Sequence, residues 1–451
     1  MSVPYVPRPY MEAAIEFGLA REGCGIMLDP GMGKTGIALA ITLVRKVKTL
    51  VIAPSRVAKA TWIAEGKKWT DFAGMKIVHA VEQNDAGRKQ ICLSNADIVT
   101  INPESAHKIL QAPWFHLAGF KQLIVDESTK YKNTQSMRFK ALKKCLTSFD
   151  YRIILTGTPV PNGLEDIFGQ MYIVDFGTSL GKYITHFRMQ FMYQRPGDPW
   201  SYHMKPGTGP QIFERVKPYL MRMRAIDHLE MPEIVHNTRY VDLPPGLMKQ
   251  YKELEDEYIT KIEDVAIAAI NPSAAGVKLR QFANGFLYHV PDGSVDRLVI
   301  PLHEAKLQSL EELLEEMQGR PLLLGYEFNE DARRIQERFG AVNLGQCKDT
   351  GTVIDRFNAG LIPLLIGHPA SIGHGLNLQE GCHEICWYSD PWDLELYIQF
   401  NDRVYRQGQT SPQVIVHHIT ARGTRDEKVA KVLSDKDATQ EDFNAAILTP
   451  L

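Results

Sequence analysis

Four short segments carry residue types that together could bind and split a nucleoside triphosphate. The first, Gly31-Met32-Gly33-Lys34-Thr35 after Pro30, follows an apolar run and precedes the helical Gly36-Ile-Ala-Leu-Ala-Ile41. Its glycines let backbone N–H groups close round phosphates, Lys34 brings a point charge to the β and γ oxygens, and Thr35 offers a hydroxyl to Mg²⁺. A stricter phosphate loop would have Gly at position 28, where Leu28 stands. The second, Leu123-Ile-Val-Asp126-Glu127, ends an apolar run in two carboxylates, suiting Asp126 to hold Mg²⁺ and Glu127 to polarise the attacking water. The third is Leu155-Thr-Gly-Thr-Pro159. The fourth, Gln399-x3-Arg403-x2-Arg406, has helical spacing that puts three polar heads on one face, from which an arginine could stabilise a transferring phosphoryl group by roughly 10³-fold or more.

The elements needed to position these segments are legible as alternating apolar runs and helical stretches. Thr49–Ala53, Asp97–Ile101, Gln122–Asp126 and Arg152–Thr156 read as buried parallel strands, each ending in polar or Gly/Pro residues. Ligands of open α/β sheets bind at such carboxyl ends. The same grammar returns with a helix over Glu304–Met317, a strand over Pro321–Gly325, a helix over Asn329–Phe339 and a strand over Pro363–Gly367. Between the two regions strand patterns thin out. Helix-like stretches dominate there, notably Met248–Ala269, and Pro196–Gly209 reads as an exposed loop. The expected fold is α/β, with a nucleotide-binding lobe over 1–165, a mostly helical insertion over 166–298 and a second α/β lobe over 299–451.

Composition sets outer limits. The 451 residues are 44% hydrophobic and 23% charged, enough for two or three domains with real cores. The cysteines at 24, 92, 145, 347, 382 and 386 form no CxxC pair, which suits free thiols in a reducing cytoplasm. Cys382-His-Glu-Ile-Cys386 lacks the fourth ligand and the spacing of a tetrahedral metal site, so buried thiols beside a strand are expected. No secretion signal and no membrane span is expected. Net charge is −2, so any nucleic-acid surface must be local. Lys140, Lys143 and Lys144, and Arg215, Lys217, Arg222 and Arg224 around Tyr219, are candidates, with a solvated helix face as the competing explanation.

Taken together, the segments resemble helicase superfamily 2 and, within it, the Snf2-like double-stranded DNA translocases, from about residue 5 to about 432. The marks are Asp126-Glu127 with Lys132-Asn133 and Ser136, and Leu155 to Asn162 with Leu164 and Glu165. Further on come Pro218 to Arg222 with Met231-Pro232, Gly375-Leu-Asn-Leu378, Asp390-Pro-Trp392, Gln399 to Gln409 with Val414, and Gly423-Thr424 with Asp426-Glu427. The resemblance implies two RecA-like lobes with a protrusion between them, ATP as substrate with Mg²⁺, and duplex DNA as partner. By position it implies Thr156, Thr158 and Gly375 for coupling, Gln399 for placing the water, and Arg403 and Arg406 as arginine fingers. It implies Pro54, Ser55, Arg56, Asn102, Gly373 and Asn377 for DNA contact, and Arg8 and Tyr10 for the nucleotide.

Three departures stand out. Met11 occupies the position of the family's adenine-reading Gln, Ser128-Thr129 follows the acidic pair in place of Ala-His or Gly-His, and Asp393-Leu394 follows Trp392 in place of Asn-Pro. The expected activity is ATP-driven movement along duplex DNA. A strand-separating or fork-remodelling helicase acting on branched DNA, and an ATP-gated clamp that displaces a protein without travel, stay open beside it. The motor core fills nearly all of the chain, so targeting is expected from an unknown protein partner or from DNA structure.

Overall fold

The computed structural model describes residues 3–80, 84–195, 198–264, 272–289, 298–372 and 376–447. Two compact units emerge, residues 1–229 with 436–451, and residues 230–435.

The first unit is built on seven strands, β1 (Gly23–Leu28), β2 (Thr49–Ile52), β3 (Ile77–His79), β4 (Ile98–Ile101), β5 (Gln122–Asp126), β6 (Tyr151–Thr156) and, after the hairpin β7 (Met192–Arg195) and β8 (Asp198–Met204), β9 (Leu220–Met223). They lie in the order β3-β4-β2-β5-β6-β1-β9, and every pairing is parallel. The inner strands β2, β4 and β5 are buried at every residue, as runs covered on both faces must be. One apolar cluster runs from Met27 and Leu50 through Phe139, Phe168 and Phe187 to Phe443.

The second unit carries β10 (Glu233–Val241), the hairpin β11 (Phe286–His289) and β12 (Leu298–Pro301), then β13 (Leu322–Gly325), β14 (Val342–Asn343), β15 (Leu364–Gly367), β16 (Glu384–Trp387) and β17 (Gln413–Ala421). Its main sheet has the order β10-β17-β16-β13-β15-β14, again all parallel. Two buried clusters, one around Leu310, Leu324 and Tyr388 and one around Leu323, Phe357 and Trp387, include alternate residues of β13.

Two parallel-sheet bodies were expected, and both are present. Two local readings change. The segment read as the loop Pro196–Gly209 is not all loop, since among its described residues Asp198–Met204 forms a strand antiparallel to Met192–Arg195. The alternation Trp200, Tyr202, Met204 is the strand signal that the flanking Pro and Gly residues obscured. The middle of the chain also supplies β9 to one sheet and β10 to the other, beside helices such as Pro245–Asp264. The expected Met248–Ala269 helix is therefore found to Asp264, its last five positions lying outside the described residues.

Candidate nucleotide site

β1 and β5 both flank β6, so the loop after β1, the end of β5 and the end of β6 lie side by side at the carboxyl edge of one sheet. Met27 is in register with Thr156, and Asp126 with Leu155. The Gly31–Thr35 segment then turns into the helix Lys34–Arg45, whose N-cap is Gly33 with no side-chain cap bond. The φ values of Gly31 and Gly33 are 82° and 78°, conformations that side chains resist. The uncapped N–H groups, the dipole of a 12-residue helix and the ammonium of Lys34 make a phosphate cradle. Lys34 Nζ donates to the carbonyls of Leu28 (2.7 Å) and Asp29 (3.2 Å), which hold it at the mouth of the loop.

Asp126 is 7% exposed and its Oδ2 accepts from Trp62 Nε1 at 3.0 Å. Glu127 follows at φ 55°, a left-handed turn that ends the strand and re-aims the chain. A carboxylate at this strand end, Thr35 at the start of the helix and the cradle are the donor set that Mg²⁺ with a triphosphate requires, and the residues present fit that group. Thr156 is fully buried, its Oγ1 accepting from the Thr158 N–H at 3.1 Å. A Cβ on Gly157 would come within 3.1 Å of Pro30 Cδ, so the glycine permits close approach of this turn to the phosphate loop.

Ser128 Oγ donates to Gln170 Oε1 (2.6 Å), and Gln170 Nε2 donates to Pro159 O (2.6 Å). The departure at Ser128 thus ties the acidic pair to the Thr-Gly-Thr-Pro turn through one buried amide. Beside the loop, Tyr10 is 3% exposed, donates to Met32 O at 3.3 Å and stacks on His228. Burial pushes its phenol above the usual range. Arg8 sits at the N-cap of the helix Pro9–Leu19. Met11 reaches the loop itself, its Cε 2.7 Å from where a Cβ on Gly33 would be. Met11 thus brings an apolar thioether against the loop.

Pro54, Ser55 and Arg56 follow the end of β2, with Ser55 and Arg56 exposed. Asn102 follows β4 and caps the helix Pro103–Leu110, its Oδ1 accepting from Ser105 N at 3.0 Å. In the basic stretch, Arg222 is corrected outright. It is 2% exposed and ion-paired with Asp29, so it is no part of a surface patch. Arg224 pairs with Asp227, while Lys140, Lys143, Lys144, Arg215 and Lys217 are exposed.

In the second unit the helix Leu394–Asn401 ends at Asn401, capped by Asp402, so Arg403 and Arg406 do not continue one helical face with Gln399. They converge instead through a turn. Arg403 donates to Gln399 O (2.8 Å), and both guanidiniums reach Leu376 O, Arg406 also donating to Asn377 Oδ1 at 2.7 Å. Burial lowers the Arg406 pKa, with Asp402 opposing. The Gln399 amide donates to Glu395 (3.2 Å). Asp393 caps this helix through Glu395 N (2.9 Å), which gives the third departure a local purpose. Gly373 and Gly375 lie outside the described residues. Cys382 and Cys386 are buried, the Cys382 thiol donating to Glu384 O at 2.9 Å. No described helix is long and apolar enough to cross a membrane.

Sequence reasoning missed Trp62, Asp29 and Gln170. Each acts across 40 or more positions, and no local pattern marks such partners.

Comparison with known proteins adds family evidence. A family model described as the SNF2-related domain matches residues 13–288. Protein p41 of Acyrthosiphon pisum secondary endosymbiont phage 1 is 33% identical over 97% of this chain and 97% of its own length. The mouse DNA annealing helicase and endonuclease ZRANB3 is 24% identical over 95% of this chain, which spans 40% of that protein. Among solved structures, the Sulfolobus solfataricus SWI2/SNF2 ATPase core in complex with dsDNA aligns with a TM-score of 0.44 and 22% identity, covering 98% of this chain and 94% of that one.

Proposed function

Because this chain belongs to the SNF2-related family of helicase superfamily 2 and is an ATPase core of that superfamily, we propose that it couples ATP hydrolysis to movement along duplex DNA. The observation that carries the reading is the alignment of Gly31–Thr35, Thr156 and Asp126 at the carboxyl ends of adjacent strands of one sheet. Lys34 and the N–H groups of the loop hold the phosphates, and Thr35 and Asp126 hold Mg²⁺. Bound Mg²⁺ supplies charge neutralisation on the β and γ oxygens. Glu127 orients the attacking water and takes up its proton.

During turnover Arg403 and Arg406 act on the developing charge, and Gln399 helps to place the water. Their release after hydrolysis lets the lobes change their grip on the DNA backbone. Residues 166–298 serve as the protrusion region of such motors. Ser55, Arg56, Asn102 and Asn377, with Pro54, Gly373 and Gly375, are the proposed backbone-contact and coupling positions. Contacts to phosphates make stepping independent of sequence and sensitive to salt. The DNA surface need only be a local positive track, which a net charge of −2 allows.

Steady-state ATPase with duplexes of increasing length, at two salt concentrations, tests the reading. Stimulation that grows with length and fades with salt is the expected result. Stimulation independent of length means a clamp without travel. The likeness to ZRANB3, named a DNA annealing helicase, favours a second reading, a fork-remodelling or annealing helicase, for which forks should outstrip linear duplex of equal length.

A further inference from the structure

A second cluster of chemistry lies within residues 230–435, on residues assigned above to neither nucleotide nor DNA, with Tyr397 sharing the helix of Gln399. Strands β10 and β17 run parallel and bring His236 and His418 together across the ladder. His236 Nδ1 is 3.3 Å from His418 Nε2, and the Tyr397 hydroxyl is 3.4 Å from each of those nitrogens. The three donors therefore form a nearly equilateral triangle.

A tetrahedral zinc ion with ligands at about 2.0–2.1 Å has neighbouring donors about 3.4 Å apart, which is the edge of this triangle. The group behind His418 also fits. His418 Nδ1 lies 2.8 Å from Asp390 Oδ1, so Nδ1–H donates to the carboxylate and the lone pair is fixed on Nε2, facing the other donors. Tyr397 is held from behind, its ring stacked on Trp387 at 5.3 Å, and Trp387 Nε1 donates to Asn401 at 3.0 Å. The neighbouring His417 contrasts with this arrangement, because both its nitrogens are engaged, by Glu384 (2.9 Å) and Asn237 (3.1 Å).

We propose that His236, His418 and Tyr397 form a binding site for a single zinc-class divalent cation, with Asp390 orienting His418 and water completing the tetrahedron. Among the described residues no cluster of three or more His, Cys, Asp or Glu forms a metal site, so the phenol oxygen as third donor is what distinguishes this one. With the ion bound, His236 carries its proton on Nε2 and the Tyr397 oxygen coordinates as phenolate, so one phenol proton passes to solvent for each ion bound. The ion would clip the edge strand β10 to the helix Leu394–Asn401. Two imidazoles select zinc-class ions over Mg²⁺, which prefers oxygen ligands and retains its waters.

Equilibrium dialysis of the full, chelator-stripped chain against Zn²⁺, in a large excess of Mg²⁺ and without nucleotide, tests the site. The expected result is saturable binding of one Zn²⁺ per chain. His236→Gln, on an exposed edge position, and His418→Gln should each weaken it by about 10-fold or more, and Asp390→Asn by about 10-fold. His116→Gln, an exposed histidine of the other unit, should change nothing. Co²⁺ in place of zinc should give the visible absorption of a tetrahedral ion, altered in Tyr397→Phe, which keeps the ring stack. Absence of saturable binding, binding undiminished in His236→Gln, or an unaltered Co²⁺ spectrum in Tyr397→Phe overturns the proposal.

Discussion

Arg222 and Asp29 are joined by an ion pair, buried on the arginine side, that fastens the edge strand β9 to the entrance of the phosphate loop. The Arg222 side chain is 3% exposed and that of Asp29 27%. Arg222 also donates to Met27 O (3.2 Å) and Met223 O (2.7 Å), while the second oxygen of Asp29 accepts from Ala225 N at 2.7 Å. Asp29 and Pro30 lead directly into Gly31, so the pair sets where the loop begins.

Removal of one partner strands the other. Asp29→Ala should destabilise the chain by about 3 kcal/mol, because a guanidinium is left buried without its carboxylate. Arg222→Met, which fills the same volume without charge, should cost less than Arg222→Ala. Urea unfolding of the three variants gives the comparison, and equal losses in all three would show that packing, not charge, holds the edge strand.

Lys34→Ala should abolish ATP turnover and leave the fold intact. Among the described residues its ammonium donates to the carbonyls of Leu28 and Asp29, neither a partner the fold depends on. Circular dichroism and ATPase measured together check this; turnover retained in the variant would refute the assignment of the loop.

Arg403→Lys should lower kcat by about 10³-fold or more with little change in nucleotide affinity, as a group acting in the transition state does. Lysine is preferable to alanine here, because Arg403 is 7% exposed and bonded to Gln399 O and Leu376 O. A large loss of ATP affinity at normal kcat would argue against the finger role.

Met11 offers no hydrogen bond to a base edge, so ATP and GTP should be used with similar kcat/KM. Met11→Gln should then raise the preference for ATP by about 10-fold or more, since polar readout discriminates better than apolar contact. Unchanged preference would place base reading elsewhere.

Asp331 provides a pH prediction. Full burial pushes its carboxyl up to about 7, against hydrogen bonds from the Phe328 N–H and Asn284 that work in the other direction. The unfolded group titrates near 3.9. Between about pH 4 and 7 the folded chain therefore binds the extra proton, and this group's stabilising contribution is lost as pH rises through 7. The loss is on the order of 3 kcal/mol. Denaturant midpoints at pH 5 and pH 8 should show the fall, and Asp331→Asn should flatten it.

Much of this protein was written locally. Gly31–Thr35, Asp126-Glu127 and the apolar strands preceding them were readable because a phosphate loop and a buried strand each depend on neighbours a few residues away. The parallel-sheet bodies followed from the same runs. The misreadings were also local. Pro and Gly around Asp198–Met204 hid a strand, and a helical period extended past Asn401 concealed the turn that actually joins Arg403 and Arg406 to Leu376.

The sequence by itself determined which residues could carry the nucleotide chemistry, since composition and short spacing set the available charges, hydroxyls and glycines. Only the tertiary structure decided that Arg222 is a buried anchor, that Trp62 holds Asp126, that Ser128 and Gln170 link two motifs, and that His236 meets His418 and Tyr397. These pairs are 21 to 193 residues apart, and a contact over such distances depends on strand order and register, which burial of the whole sheet selects and no local window contains.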